Sequence, residues 1–138
     1  MAEALILDSE ALNLLAFRAE RGALALRARA ILHLAFLHGG LVRVPAPVLA
    51  EVCRGPRFDA AVNHVLTARG ILVADLTAGI ARRAGQILAR SKLGSSHAVD
   101  AFVVATAAEF PACVIATGDV SDLGKLAAPF KSIRIFGI

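Results

Sequence analysis

Short apolar runs alternate with longer helical stretches along the whole of this chain. ALIL, LVRV, ILVADL, ACVIAT and SIRIF are dominated by aliphatic residues and are too short for helices. They read as strands over 4–7, 41–44, 71–76, 112–117 and 132–136. Capping and breaking residues mark what lies between them. Ser9 is placed to cap a helix continuing through Ala11–Phe17. A second helix starts after Arg21-Gly22 and runs to about Leu37, where His38-Gly39-Gly40 ends it. Pro45 and Pro47 open a helix carrying Glu51, and Gly55-Pro56 stops it. Asp59 is the expected cap of a helix over 59–68, and Thr77 of one reaching Arg90. Ser95 or Ser96 is expected to cap a helix over 98–109, and a short helix covers 120–127. Strands that alternate with helices in this way predict a parallel sheet with helices on both faces, an α/β/α sandwich. No linker, repeat or low-complexity tract divides the 138 residues, so residues 1–138 are expected to form one domain.

Composition narrows the class. Hydrophobic residues make up 57% of the chain, enough for a substantial core. No uncharged apolar run reaches the roughly 18 residues of a membrane span. The longest candidate, Ala23–Leu37, is interrupted by Arg27, Arg29 and His33. No basic stretch leads into an apolar run and a small-residue cleavage site at the N-terminus, so a soluble, cytoplasmic protein is expected. Cys53 and Cys113 lie far from one another and from any zinc-type spacing, which suits two free thiols. The net charge is +4, with 15 Lys and Arg against 11 Asp and Glu. That balance favours a polyanionic partner, although an Arg-rich solvated surface would give the same total.

Four of the acids sit in otherwise apolar surroundings. Asp8 ends LILD, Glu51 lies in VLAEV, Asp100 in HAVDAFVVATA, and Asp119 follows VIATG. A carboxylate buried without a partner or a metal is costly. Each also has a bland explanation. Asp8 suits a helix cap, Glu51 a helix flank, and Asp100 a first-turn acid facing the helix dipole. Asp100 is the most demanding, because helical spacing puts it on one face with Val103, Val104 and Ala107. Gly118 permits a tight strand-to-helix turn before Asp119, and Asp122 follows three residues later. Ligands of open α/β sheets bind beyond the carboxyl ends of strands, where Asp8 and Asp119 are expected. Brought together, the four make an oxygen cage suited to Mg²⁺ or Mn²⁺ and to metal-assisted phosphodiester cleavage. Glu3, Glu20, Asp59, Asp75 and Glu109 fall at element ends or polar flanks, and Glu10 is ambiguous beside Asp8.

Four segments in order resemble the PIN-domain family, and within it the toxin ribonucleases of the VapC type. These are LILDSEALNLLA, PAPVLAEV, VDAFVVATAAEF and VIATGDVSDLGKLA. The resemblance covers nearly the whole chain. It implies an endoribonuclease using Mg²⁺ or Mn²⁺, with Asp8, Glu51, Asp100 and Asp119 as catalytic metal ligands and Asp122 as a trailing acid. Ser9 and Thr117 would orient those carboxylates from behind. It also implies an RNA substrate such as tRNA or rRNA, a cognate antitoxin protein, and assembly as a homodimer or a toxin–antitoxin hetero-oligomer. Two positions depart from the family's pattern: Glu10 stands where many relatives carry a small residue, and Gly118 where they often carry Arg.

Other residues invite a role in RNA binding. Arg82, Arg83, Arg90 and Lys92 flank the third acid, as backbone contacts or as a wet helix face. His97, three residues before Asp100, is a candidate general acid or a surface residue. Seven Phe with no Tyr or Trp leave little for base stacking, so recognition by charge and shape is expected. A haloacid-dehalogenase phosphatase needs an Asp where Glu10 stands. A receiver domain needs a strand-end Lys that is missing here. The remaining alternatives are a PIN nuclease of RNA processing and a catalytically silent PIN-like module that only binds.

Overall fold

The structure, a computed structural model, describes residues 3–138, and for residues 18–21 the backbone alone. Five strands form one parallel sheet: β1 (Ala4–Leu7), β2 (Val42–Pro45), β3 (Ile71–Ala74), β4 (Cys113–Thr117) and β5 (Ile133–Gly137). Their spatial order is β3-β2-β1-β4-β5. All four residues of β1 are buried, as its central position requires. Val42 and Val44 of β2 and Ile115 of β4 are fully covered.

The connections explain the two helical layers. Helices α1 (Ser9–Ala16) and α2 (Arg18–Leu37) lead from β1 to β2, and α3 (Val48–Val52) and α4 (Pro56–Leu66) lead on to β3. The chain then returns across the sheet through α5 (Ala78–Ser91) and α6 (Ala98–Ala107) to β4, and α7 (Val120–Ala127) joins β4 to β5. Right-handed crossovers in opposite directions put α1–α4 on one face and α5–α7 on the other. The packing agrees: α1 contacts α2, α3 and α4, while α6 contacts α5 and α7. Leu12 and Leu14 fill one inter-layer space, and Leu123 and Leu126 the other. Burying each such side chain is worth about 1.5–3 kcal/mol relative to exposure. The expected α/β/α sandwich is therefore the observed fold.

The winding direction reverses at β1 and β4, which are adjacent although far apart in sequence. Leu7 pairs with Ala116, and the Asp8 amide donates to the Ala116 carbonyl at 3.3 Å. A crevice opens at such a reversal, beyond the carboxyl ends of the two strands.

Several boundaries differ from expectation. Helix α1 starts at Ser9 itself, so the cap is Asp8. Helix α4 starts at Pro56: Gly55, at φ 129°, makes the turn and Pro56 supplies a preset φ, which leaves Asp59 inside the first turn. Ser95 and Ser96 do not cap α6. They form a 3₁₀ turn with His97, which occupies the cap position. Strand β3 stops at Ala74, before Asp75-Leu76. The break expected at Gly22 is present, with φ 52° and ψ −119° inside α2. Beyond it, Ala25 and Ala28 face inward, while Leu26 and Leu37 stand 65% and 66% exposed.

Candidate active site

Asp8 directly follows the central strand. Its extended backbone (φ −82°, ψ −175°) turns the chain into α1, and its carboxylate accepts the Ala11 amide at 2.9 Å. The side chain is only 6% exposed. Burial pushes its pKa up, and the Glu10 charge adds to that. Hydrogen bonds from the Thr117 hydroxyl and the Ala11 amide pull it back.

Thr117 is fully buried at the end of β4 and serves two carboxylates. Its hydroxyl donates to Asp8 and its Oγ1 accepts the Asp119 amide at 2.8 Å. Asp119 in turn caps α7 by accepting the Asp122 amide at 3.0 Å. Across the crevice, the Ser9 hydroxyl donates to Glu51 Oε1, tying α1 to α3.

Asp100 approaches from α6 on the other face of the sheet. Its pKa is pushed up to about 6, first by burial and then by the charges of Asp8, Glu51 and Asp119, with His97 opposing. These four acids come from four separate stretches of sequence and repel one another in one place. Asp8, Glu51, Asp100 and Asp119 line a single pocket of about 430 Å³, with Ser9, Glu10, Asn13 and Gly118 on its walls.

The donor chemistry of these acids suits a divalent cation, but among the described residues the group whose ligand atoms lie within 4.8 Å of one another is His97, Asp100 and Asp122, not three of the four pocket acids. The four pocket acids supply only oxygen donors, as Mg²⁺ and Mn²⁺ prefer, and burial followed by the three neighbouring carboxylates disfavours the ionised form of Asp100. Asp122 is oriented differently. Its carboxylate faces His97, Oδ2 to Nδ1 at 3.6 Å, and an oxygen of Asp100 lies within 4.8 Å of both.

The two departures from the family pattern prove to be one contact. A Cβ built on Gly118 would lie 2.4 Å from Glu10 Cγ and 3.0 Å from Glu10 Cβ. Glu10 lies across the bare backbone of Gly118, and a side chain there would force Glu10 to shift. Among the flanking bases, Arg83 pairs with Glu109 at 3.8 Å and Arg90 stacks over Phe130 at 5.9 Å, while Arg82 and Lys92 are exposed. The Glu20 side chain lies outside the described residues. Asn13 is a pocket residue that sequence reasoning missed, since no motif or charge marks it.

The PIN domain family profile matches residues 5–127. No curated protein shows significant sequence similarity to the chain. Among solved structures, a chain of VapBC2 from Rickettsia felis bound to a DNA fragment from their promoter superposes with a TM-score of 0.66 at 11% identity. The match covers 97% of this chain and 98% of that one. With the family profile spanning most of its length, this chain belongs to the PIN-domain family. Among the described residues, no helix is long and apolar enough to cross a membrane.

Proposed function

We propose that this protein is a divalent-metal-dependent endoribonuclease and the toxin half of a type II toxin–antitoxin pair. One observation carries the nuclease reading: four carboxylates from four elements converge at the carboxyl ends of β1 and β4. Membership in a nuclease family supports it. Asp8, Glu51, Asp100 and Asp119 would hold one or two ions of Mg²⁺ or Mn²⁺. When bound, such an ion supplies an acidified water at the scissile phosphate and offsets charge on the leaving oxygen.

The chain's own groups do the positioning. Thr117 meets Asp8 through its hydroxyl and Asp119 through that residue's backbone amide, so one side chain links the acids that follow β1 and β4. Ser9 fixes Glu51 in the same way. Asp122 and His97 face each other at 3.6 Å, and Asp122 would serve as an outer ligand. The basic surplus outside the site favours the RNA backbone.

The toxin reading draws on fold likeness to VapBC2, whose described form is a complex. It also draws on the outer face of α2, where Leu26, Leu34 and Leu37 are exposed. Such a surface suits an antitoxin helix. We place this activity in the cytoplasm, where its RNA would be found.

The test is cleavage of a tRNA pool or rRNA by the purified protein with Mg²⁺ or Mn²⁺. Asp8→Asn, Asp100→Asn and an EDTA control run beside it. Metal-dependent cutting that both variants lose supports the nuclease. A folded wild type that cuts none of these RNAs overturns it in favour of a binding module. Cutting by a protein with no inhibitory partner encoded beside it would favour an RNA-processing nuclease.

A further inference from the structure

A second cleft opens directly beside the carboxylate pocket and shares two of its walls. Asn13 and Glu51 line both. The second cleft, of about 360 Å³, is completed by Phe17, Phe58, Arg54 and Arg57. Its aromatic pair is unusual in a chain where Phe contributes every aromatic ring except the histidines. Phe58, in the first turn of α4, is 42% exposed, and its ring meets Phe17 edge-on at 5.6 Å between centroids and 68° between planes. An edge-on partner buttresses a ring while leaving a face clear. Leaving so large an apolar ring in water is costly unless something covers it.

The charges beside the ring indicate what covers it. Arg54 is exposed on the loop between α3 and α4, its Nη1 resting on the Ala50 carbonyl at 3.4 Å. Arg57 is exposed in the next turn of chain. Two guanidinium groups beside an exposed ring offer what one nucleotide needs: a stacking face for the base and paired donors for the phosphate. An apolar peptide would use the ring but would gain nothing from two arginines held at the cleft's edge.

We infer that the Phe17–Phe58 cleft, with Arg54 and Arg57, is a subsite for a single-stranded nucleotide flanking the scissile phosphate. The strand passes over Asn13 and Glu51 from this cleft into the carboxylate pocket. The inference rests on the ribonuclease reading and adds where the substrate lies. Because stacking accepts any base, the subsite selects unpaired RNA over duplex without reading its sequence.

The test measures binding, not cutting. A fluorescent single-stranded oligoribonucleotide is titrated by anisotropy into Asp8→Asn protein, which keeps the α1 cap. Phe58→Ala, Phe58→Leu, Phe58→Trp and Arg54→Ala/Arg57→Ala are added to that background. Phe58→Ala and Phe58→Leu should each weaken binding about tenfold or more, and Phe58→Trp should preserve it. The double arginine variant should flatten the dependence of log affinity on log salt by roughly 1.4, at about 0.7 per lost phosphate contact. A hairpin duplex should bind more weakly than the single strand. Rescue by Leu as complete as by Trp would overturn the inference, since the ring would then serve only packing. So would an unchanged salt slope. Should the ribonuclease reading itself fail, the wild type would not cut, whether or not RNA binds. Failure of the subsite alone leaves binding intact in every Phe58 and arginine variant while the wild type still cuts.

Discussion

Replacing Asp100 with Asn should make the metal-free protein more stable while ending its cleavage of RNA. Asp100 is half-buried among three like charges, and its pKa rises from 3.8 to about 6. At about 1.4 kcal/mol per tenfold change in proton affinity, that corresponds to roughly 3 kcal/mol. Water still reaches the side chain, so about half of this, near 1.5 kcal/mol, is a sound expectation. In a domain of this size it would raise Tm by about 5 °C. The sign follows from linkage. A carboxyl whose folded pKa exceeds its unfolded value favours folding when protonated and opposes it when ionised. The penalty is therefore full above pH about 6 and fades as pH falls towards 3.8. Thermal melts in EDTA at pH 7.5 should show Asp100→Asn melting above wild type, with the gap closing by pH 4. Added Mg²⁺ should raise the wild-type Tm and leave the variant nearly unmoved. A variant no more stable than wild type at pH 7.5 would refute the account of Asp100 as a repelled carboxylate awaiting a cation.

Asp8→Ala and Asp8→Asn should both abolish cleavage, but only Ala should cost stability, about 1 kcal/mol by urea denaturation, because Asn still caps α1 at the Ala11 amide. Thr117→Val should destabilise the fold by about 1–2 kcal/mol and move the acid limb of the pH–activity profile upward. Its hydroxyl lowers the Asp8 pKa, and without it Asp8 ionises only at higher pH. Gly118→Ala should cost about 1–3 kcal/mol in the same denaturation assay, and adding Glu10→Ala should restore most of it.

The sheet was legible because β1, β2 and β4 are largely buried, and even the edge strands β3 and β5, with Leu72 and Arg134 exposed, keep short aliphatic runs that stand out from the helices between them. Helix α7 lies where Asp119 and the following small residues place it, at Val120–Ala127. The caps were harder to read. Asp8 and Ser9 are both good capping residues, and the choice depends on where β1 stops, which pairing with β4 decides. Asp59 lost to Gly55-Pro56 for a similar reason: a positive φ followed by proline starts a helix sooner than a side-chain acceptor can. In the site, Asp8 and Asp119 were readable from strand ends, and Asp100 from an acid on an apolar helix face. Asn13 and the Phe17–Phe58 pair were not. Their position depends on how α1 and α4 pack, and no local pattern encodes that.

Glu10 and Gly118 lie 108 positions apart in sequence, yet they occupy one volume between them. Neither can therefore drift alone. A descendant that gains a side chain at 118 must first shorten the one at 10. A descendant that keeps a long acid at 10 is held to glycine at 118. The mouth of the pocket is inherited as a two-residue unit, and a chimera joined anywhere between α1 and β4 splits it. A chimera that kept Glu10 but took a side chain at 118 would hold all four convergent acids and still crowd two side chains into one space.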